Sequence, residues 1–129
     1  MPVVANHMSR NLLSVGPDER LVDAAKRMSE RGVGAVVVVE GERLAGILTE
    51  RDMLHAIAKG FREDSRVREW MTAHPETIEA SDSTEHAAAL MIHGGFRHLP
   101  VLEDDELAGI LSIRDVMRVA LEDMSPRGV

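Results

Sequence analysis

Cysteine is absent from the 129 residues of the sequence. Its absence excludes a disulfide framework, a thiol nucleophile and a cysteine-based zinc site, and it fits a protein of the reducing cytoplasm. Long hydrophobic runs are also absent, since no apolar stretch approaches the ~20 residues that cross a bilayer. The start, Met1-Pro2-Val3-Val4, does not resemble a signal peptide. The sequence therefore predicts a soluble, cytoplasmic protein with no membrane partner.

Aromatic residues make up only 2% of the sequence, with two Phe, one Trp and no Tyr. Such a chain offers no platform on which nucleic-acid bases would stack. Its net charge of −7 also opposes binding to a phosphate backbone. Nucleic acid is therefore not an expected partner, whereas a small anionic ligand is allowed where positive charge is local. The hydrophobic fraction of 44% must build the core from aliphatic residues.

Catalytic and metal-binding motifs are missing as well. The sequence has no glycine-rich P-loop, no nucleophile elbow and no paired acid–base constellation. Its six histidines do not show the spacing of two metal ligands on one helix. We therefore expect neither an enzyme nor a metal centre.

An internal repeat is the main feature that the sequence does contain. LAGILTERD, residues 44–52, returns as LAGILSIRD, residues 107–115, at an offset of 63 residues. The same offset pairs Val4 with Val67. A unit of about 60 residues buries too little surface to be comfortable alone, so the two copies are expected to form one module. We assign the first repeat to residues 1–64 and the second repeat to residues 65–129.

Each repeat shows the same order of elements: a brief strand, a helix, a hairpin of two strands and a second helix. In the first repeat, Leu21, Ala24 and Met28 have helical spacing, and a β-branched run follows the capping Gly32. The fold class is therefore α+β, with two tandem βαββα repeats. The predicted strands cover residues 12–15, 35–39 and 44–48 in the first repeat and 76–78, 98–102 and 107–111 in the second.

Three segments depart from this regular pattern. Pro100 lacks a donor for a strand ladder, so its strand is expected to lie at a sheet edge or to start at the proline. The charged connector, residues 60–68, is expected to become helical over residues 67–71. The tail, residues 125–129, is expected to be frayed.

The second helix of each repeat carries an apolar face. The ends of both helices are apolar enough to contact a second molecule, which makes a homodimer the expected assembly. The residues of the two faces are Met53, Leu54, Ile57 and Ala58 in the first repeat and Val116, Met117, Ala120 and Leu121 in the second.

The two repeats share a Gly-aliphatic-aliphatic-Ser/Thr-x-x-Asp motif, at residues 46–52 and again at residues 109–115. The run RHLPV, residues 97–101, precedes the second copy. In these motifs and in the order of its elements, the sequence resembles a cystathionine β-synthase (CBS) domain pair, also called a Bateman module. The resemblance covers nearly the whole chain.

The resemblance implies two small sheets packed together with helices outside, and two pseudo-symmetric clefts between the repeats. It implies that these clefts bind an adenosyl ligand such as AMP, ADP, ATP or S-adenosylmethionine, which regulates an unidentified partner protein. Members of the family commonly form flat dimers. No tightly bound cofactor is expected, although Mg²⁺ would arrive together with ATP.

Two interpretations are open for the Ser/Thr and the Asp of the motif. A Ser or Thr followed three residues later by an acid is close to the capping box of a helix start. Within the resemblance, each carboxylate would instead accept hydrogen bonds from the vicinal hydroxyls of a ribose. The two roles are compatible. The candidate ribose-binding residues are Thr49, Asp52, Ser112 and Asp115.

The candidate phosphate contacts are three arginines and one histidine. Arginine suits phosphate because its planar fork forms two parallel, charge-assisted hydrogen bonds. Arg51 and Arg114 occur at the same place in both repeats, and their alternative role is to face solvent. Arg97 and His98 replace a Gly-Ala pair of the first repeat. The two binding sites are therefore expected to differ, with tighter phosphate contacts in the second repeat.

Adenine would lie between aliphatic side chains and be recognised by backbone groups. The alternative role of these side chains is plain core packing, which is favoured for the valines. The candidate adenine walls are Ser14, Val15, Ala35, Val36, Thr77, Ile78 and Leu99.

Two classes of function follow from these observations. The first is a ligand-sensing module, in which an adenine nucleotide changes dimer geometry and so alters a partner. The second is a dimerisation scaffold that binds no ligand.

Overall fold

Residues 1–124 are described by the computed structural model, and the tail at residues 125–129 lies outside the described residues. A short 3₁₀ helix, Val4–Asn6, precedes the regular elements. The α+β class and the βαββα order are confirmed in both repeats. The elements are β1 (Ser14–Val15), α1 (Leu21–Arg31), β2 (Ala35–Glu40), β3 (Arg43–Thr49), α2 (Glu50–Lys59), α3 (Val67–Trp70), β4 (Thr72–Ala73), β5 (Ile78–Glu79), α4 (Thr84–Gly94), β6 (His98–Glu103), β7 (Glu106–Ser112) and α5 (Ile113–Met124).

The chain forms two compact units. The central unit is Leu12–Pro75, and the terminal unit joins Met1–Asn11 to the chain from Glu76 onward. The first residues of each repeat therefore fold with the sheet of the other repeat. The repeat boundary between residues 64 and 65 stays a prediction about the sequence, and the compact units are divided elsewhere.

The central unit is built on a mixed sheet of four strands in the order β1-β2-β3-β4. β1 runs parallel to β2, and the other two pairs are antiparallel. As predicted, α1 ends at Gly32, which has the left-handed φ of 67° that glycine adopts readily. The core on the α1 side of the sheet includes Leu21, Ala24, Met28, Val36, Val38 and Leu48.

The terminal unit is built on a sheet of three strands in the order β5-β6-β7, with β5 parallel to β6 and β6 antiparallel to β7. Ser9 adds an antiparallel bridge to Ile110 of β7. The predicted hairpin is present, and it turns at Asp104 and Asp105. Their φ angles of 52° and 64° are typical of a type I′ turn. The core includes Val4, Ile78, Ala87, Met91, Leu99, Val101 and Leu111.

The prediction for the strand that contains Pro100 is wrong. β6 is the central strand of its sheet, and Pro100 is an interior residue that pairs with Ile110. The reason is the direction of the missing N–H group. At the equivalent position of the first repeat, the Val37 N–H donates to the Leu13 carbonyl on the β1 side. Because β5 begins to pair only at Val101, the proline needs no donor on that side.

Each unit contains a segment that belongs in sequence to the other repeat: residues 1–11 in the terminal unit and residues 65–75 in the central unit. We call these the exchanged segments, and a buried valine anchors each of them. Val4 of the 3₁₀ helix is 0% exposed and belongs to the terminal core, while Val67 of α3 is 0% exposed and belongs to the central core. After Val4, the chain pairs with β7 through Ser9, and after Val67, it pairs with β3 through Thr72. The equivalence of the two valines is visible in the sequence, whereas this exchange was not predicted from it.

The glycine of the repeated motif allows the exchanged segment to approach the sheet. A Cβ atom at Gly109 would lie 2.6 Å from the Ser9 carbonyl oxygen, and one at Gly46 would lie 2.7 Å from the Thr72 carbonyl oxygen. Both distances are too short for non-bonded atoms. These glycines are therefore explained by close backbone approach.

Ionic contacts also hold α3 in the central unit. The Arg68 guanidinium donates to both carboxylate oxygens of Asp18 at 3.2 Å and to Glu40 at 3.1 Å. The hydrogen bond from Arg68 lowers the pKa of the Asp18 carboxyl, and the same bond raises the pKa of Arg68. Because these groups are exposed, their contribution to stability is modest.

The apolar faces predicted on α2 and α5 are only partly buried. Of the eight predicted residues, only Val116 is buried, while Met53 is partly buried against the central core. The buried residues of these helices include Ala56 and Val119, which were not predicted to lie on the faces. The remaining large residues are exposed: Leu54 by 64%, Ile57 by 65%, Met117 by 56% and Leu121 by 65%. In residues 1–124, no helix has both the length and the apolar character to cross a membrane.

Candidate functional site

In each unit a strand runs directly into a helix, and the repeated motif lies at this point. We define the central junction as Gly34, Ala35, Thr49, Glu50 and Asp52, where β3 meets α2. The terminal junction consists of Arg97, His98, Ser112, Ile113 and Asp115, where β7 meets α5. The first N–H groups of a helix lack partners within the helix, so such a junction concentrates hydrogen-bond donors.

Thr49 and Asp52 form a capping box at the start of α2. The Asp52 Oδ2 atom accepts from the Thr49 backbone N–H at 2.9 Å and from the Thr49 hydroxyl at 3.1 Å. In return, the Asp52 N–H donates to the Thr49 Oγ1 atom at 3.3 Å. The capping interpretation is therefore confirmed in the first repeat.

Ser112 and Asp115 repeat this arrangement at the start of α5. The Asp115 Oδ2 atom accepts from the Ser112 N–H at 2.8 Å and from the Ser112 hydroxyl at 3.0 Å, and the Asp115 N–H donates to Ser112 Oγ at 3.2 Å. The Arg118 Nη1 atom lies 3.4 Å from Asp115 Oδ1. In both boxes the cap occupies Oδ2, so Oδ1 is the carboxylate oxygen that the cap does not require.

The terminal junction brings the predicted phosphate residues of the second repeat beside the capping box. His98 opens β6 and pairs with Ser112 of β7. The Arg97 carbonyl accepts from the Ile113 N–H at 2.8 Å, at the first residue of α5. Arg97 is exposed and His98 is partly buried. Four of the predicted site residues therefore meet in one unit.

The central junction has the same backbone but different side chains. The Glu50 N–H donates to the Gly34 carbonyl at 3.0 Å, and Ala35 pairs with Thr49. The Glu50 carboxylate lies against Gly34, where a Cβ atom would collide with it. Glu50 was not predicted from the sequence. The signal in the sequence was a difference between the repeats, since the first has Glu50 where the second has Ile113. Each of these residues bonds through its N–H to the position that holds Gly34 in one repeat and Arg97 in the other.

Arg51 and Arg114 are the second residues of their helices, and both are exposed. Each precedes a capping aspartate by one position. This placement agrees with either of the roles predicted for them, so phosphate contact by Arg51 and Arg114 stays a prediction.

The predicted adenine walls divide into buried and accessible residues. Val15, Val36, Ile78 and Leu99 belong to the cores of their units, which favours the packing role that we gave as the alternative. Ala35 is also buried, at 7% exposure. Ser14 is exposed and Thr77 is partly buried, so these two retain side-chain surface for a ligand. Contact of any of the seven with adenine stays a prediction.

The part of the chain that the structure describes, residues 1–124, contains no group of three or more histidine, aspartate or glutamate side chains arranged to hold a metal ion.

This chain is similar to known proteins both in sequence and in structure. An uncharacterised 17.7 kDa protein of Acidianus ambivalens is 37% identical over 110 residues, which cover 84% of this chain and 66% of the relative. The structure of CBSX2 in complex with AMP has a TM-score of 0.82 at 29% identity and covers 97% of this chain and 100% of that chain. The CBS domain protein PAE2072 of Pyrobaculum aerophilum, complexed with AMP, has a TM-score of 0.86 at 26% identity and covers 95% and 97% of the two chains.

The sequence model of the CBS domain matches the chain twice, at residues 4–59 and 67–122. The two matches are separated by the same offset of 63 residues as the internal repeat. Together they cover most of the chain, and the fold agrees with the solved structures above. The chain therefore belongs to the CBS domain family, as a tandem pair of CBS domains.

Proposed function

We propose that this protein is a regulatory module that binds an adenine nucleotide at the terminal junction. The observation that carries the proposal is the placement of Arg97 and His98 beside the capping box of Ser112 and Asp115, where the start of β6 pairs with the end of β7. The AMP complexes of CBSX2 and PAE2072 support an adenosyl ligand. The nucleotide class is AMP, ADP or ATP, with Mg²⁺ accompanying ATP.

The residues of the terminal junction suit the parts of such a ligand. The Asp115 carboxylate accepts ribose hydroxyl groups through Oδ1 while Oδ2 keeps its cap. The Arg97 guanidinium gives a phosphate two charge-assisted hydrogen bonds, and His98 adds a further donor. One carboxylate and at least one cation in a single junction therefore match a sugar that carries a phosphate.

The role is regulatory rather than catalytic. A bound nucleotide changes the behaviour of a partner only if it binds two states of the module with different affinity. We propose that these states are two geometries of a homodimer, whose subunits meet through the exposed apolar residues of α2 and α5. The regulated partner is a second protein.

Replacing Asp115 by alanine is expected to abolish stabilisation by nucleotide. A ligand at about 100 times its Kd adds ~2.7 kcal/mol to the stability of the folded protein, which raises the melting temperature by several degrees. The variant removes the ribose contact and also a cap worth about 1 kcal/mol. Thermal melts with AMP, ADP and ATP, each with and without Mg²⁺, measure both effects.

Ser83→Ala is the matched control for the lost cap. The Ser83 hydroxyl caps α4 in the same unit by accepting from the His86 N–H at 3.0 Å, away from the terminal junction. This variant should lose about the same basal stability and keep the full response to nucleotide. If AMP, ADP and ATP all leave the unaltered protein's melting temperature unchanged, the proposed function is wrong.

A dimerisation scaffold without a ligand is the second candidate function. Large apolar side chains exposed on a helix favour it, because they mark an interaction surface. These side chains are Leu54 and Ile57 on α2 of the central unit and Met117 and Leu121 on α5 of the terminal unit. The capping boxes also give both aspartates a structural role. A concentration-dependent dimer that ignores all three nucleotides would support this candidate over the first.

The double substitution Leu54→Glu and Met117→Glu is expected to weaken self-association at least tenfold. Glutamate at an apolar contact must be desolvated without a partner, which disfavours the dimer. Sedimentation velocity over a range of protein concentrations measures the change. Ala73→Glu is the control, since Ala73 is exposed on β4 and belongs to neither α2 nor α5. Equal dimer affinity in the double variant and the unaltered protein would remove α2 and α5 from the interface.

A further inference from the structure

The two junctions carry opposite charges at one matched position. In the central junction, the Glu50 carboxylate lies against Gly34, at the place from which a larger side chain would project. In the terminal junction, the residue equivalent to Gly34 is Arg97, and the residue equivalent to Glu50 is Ile113. The backbone hydrogen bond between the two positions is present in both units. The same framework thus presents an acid in one unit and a base in the other.

The features shared by the two junctions cannot account for a difference in ligand. Both have a capping box with one aspartate, and both have an arginine before that aspartate, Arg51 or Arg114. Both keep the strand pairing that brings residue 35 or 98 opposite the cap. Any difference in phosphate recognition must therefore come from the side chains that differ between the two junctions, chiefly Glu50 and Arg97.

We infer that Glu50 is a specificity-determining residue that makes the central junction reject phosphate. This inference rests on the proposed function and extends it to the second site. The Asp52 carboxylate would still accept ribose hydroxyl groups, but a phosphate dianion beside Glu50 would be repelled by a like charge. The central junction therefore selects a nucleoside that carries no phosphate, whereas the terminal junction selects a nucleotide.

Calorimetric titration with adenosine and with AMP tests this inference on the full chain. The unaltered protein is expected to bind two adenosine molecules per chain with comparable affinities. It should bind only one AMP molecule with an affinity in that range. Glu50→Gln removes the negative charge and keeps the size of the side chain. It should raise AMP affinity at the central junction about tenfold and leave adenosine affinity there within about twofold.

Two further variants assign the sites. Asp52→Ala should remove one adenosine and leave AMP binding intact, while Asp115→Ala should remove the tight AMP site. Glu42→Gln is the charge-matched control, because Glu42 is an exposed acid in the β2–β3 turn. It should change neither ligand, which separates a local effect from that of net charge. Since Glu50 is exposed, Glu50→Gln is expected to fold even if an aspartate variant does not.

The outcomes separate this inference from the proposed function. If neither adenosine nor AMP binds the unaltered protein, the inference on Glu50 is wrong, and the proposed function is wrong as well if ADP and ATP also fail to bind. If AMP binds at the terminal junction but Glu50→Gln leaves AMP binding at the central junction unchanged, only the inference on Glu50 is wrong. Two equivalent AMP sites in the unaltered protein would also overturn it.

Discussion

Gly109→Ala is expected to destabilise the protein by about 2 kcal/mol or more, although it adds only one methyl group. The new Cβ atom would lie 2.6 Å from the Ser9 carbonyl oxygen and 2.8 Å from the Met8 sulfur. The sulfur ends a flexible side chain and is able to move. The carbonyl is fixed, because Ser9 exchanges two backbone hydrogen bonds with Ile110, at 2.9 and 3.0 Å. The methyl group fits only if the N-terminal segment moves away from β7.

Chemical denaturation measures the loss of stability, and amide hydrogen exchange at Ser9 and Ile110 locates it. Gly16→Ala is the control, because a Cβ atom there would make an ordinary contact of 3.5 Å with the Glu19 side chain. That substitution should be neutral or slightly stabilising, since alanine restricts the unfolded chain more than glycine does. Unchanged stability and unchanged exchange at Ser9 in Gly109→Ala would contradict the close approach described for this segment.

Gly46→Ala should reproduce the effect in the central unit. There the Cβ atom would lie 2.7 Å from the Thr72 carbonyl oxygen and 2.8 Å from the Met71 sulfur. The glycine of the repeated motif is thus required by the packing of an exchanged segment in both units. Its presence in a sequence is evidence for the fold and says nothing directly about a ligand.

The elements within each repeat were predictable because they rest on local signals. The β-branched run that forms β2 and the left-handed glycine that ends α1 act over a few residues. The exchange of segments was not predictable in this way. Nothing local at Val4 says that its core partners begin at Ile78, more than 70 residues along the chain. A repeat offset identifies equivalent residues but leaves open which copy each one contacts.

Pro100 shows the limit of a general rule about strands. Proline is excluded from a central strand only where its N–H would face a neighbouring strand. In this sheet β5 is two residues long and pairs with β6 only from Val101. The short length of β5 therefore determines that a proline is tolerated at position 100 of β6. The sequence near Pro100 does not reveal that length.

The candidate site was predictable in its shared part. The repeated motif identified all four capping residues, because a Ser/Thr and an acid three residues apart stabilise a helix start in any fold. Arg97 and His98 were found as a difference between the repeats. Glu50 was missed because its importance depends on contact with Gly34, which follows from the pairing of two strands rather than from spacing in the sequence.

Val4→Asp is expected to destabilise the terminal unit by about 3–5 kcal/mol, as an uncompensated buried charge does. Val4 is 0% exposed, and it packs in the core with Ile78, Leu99 and Leu111. Its N–H donates to the Asp82 carbonyl at 2.8 Å, so the backbone holds the side chain in the core. The aspartate must either stay neutral at a high free-energy cost or pull the 3₁₀ helix out of the unit.

Asn6→Asp is the matched control, since Asn6 is exposed on the same 3₁₀ helix and the substitution adds the same negative charge. It should leave stability within about 0.5 kcal/mol, as most surface substitutions do. Urea denaturation gives the free energy of unfolding for both variants, and hydrogen exchange in β6 and β7 shows whether the terminal sheet has opened. If Val4→Asp is as stable as Asn6→Asp, the N-terminal segment does not complete the terminal core. A large loss confined to Val4→Asp would mean that the second CBS domain depends on residues at the start of the first.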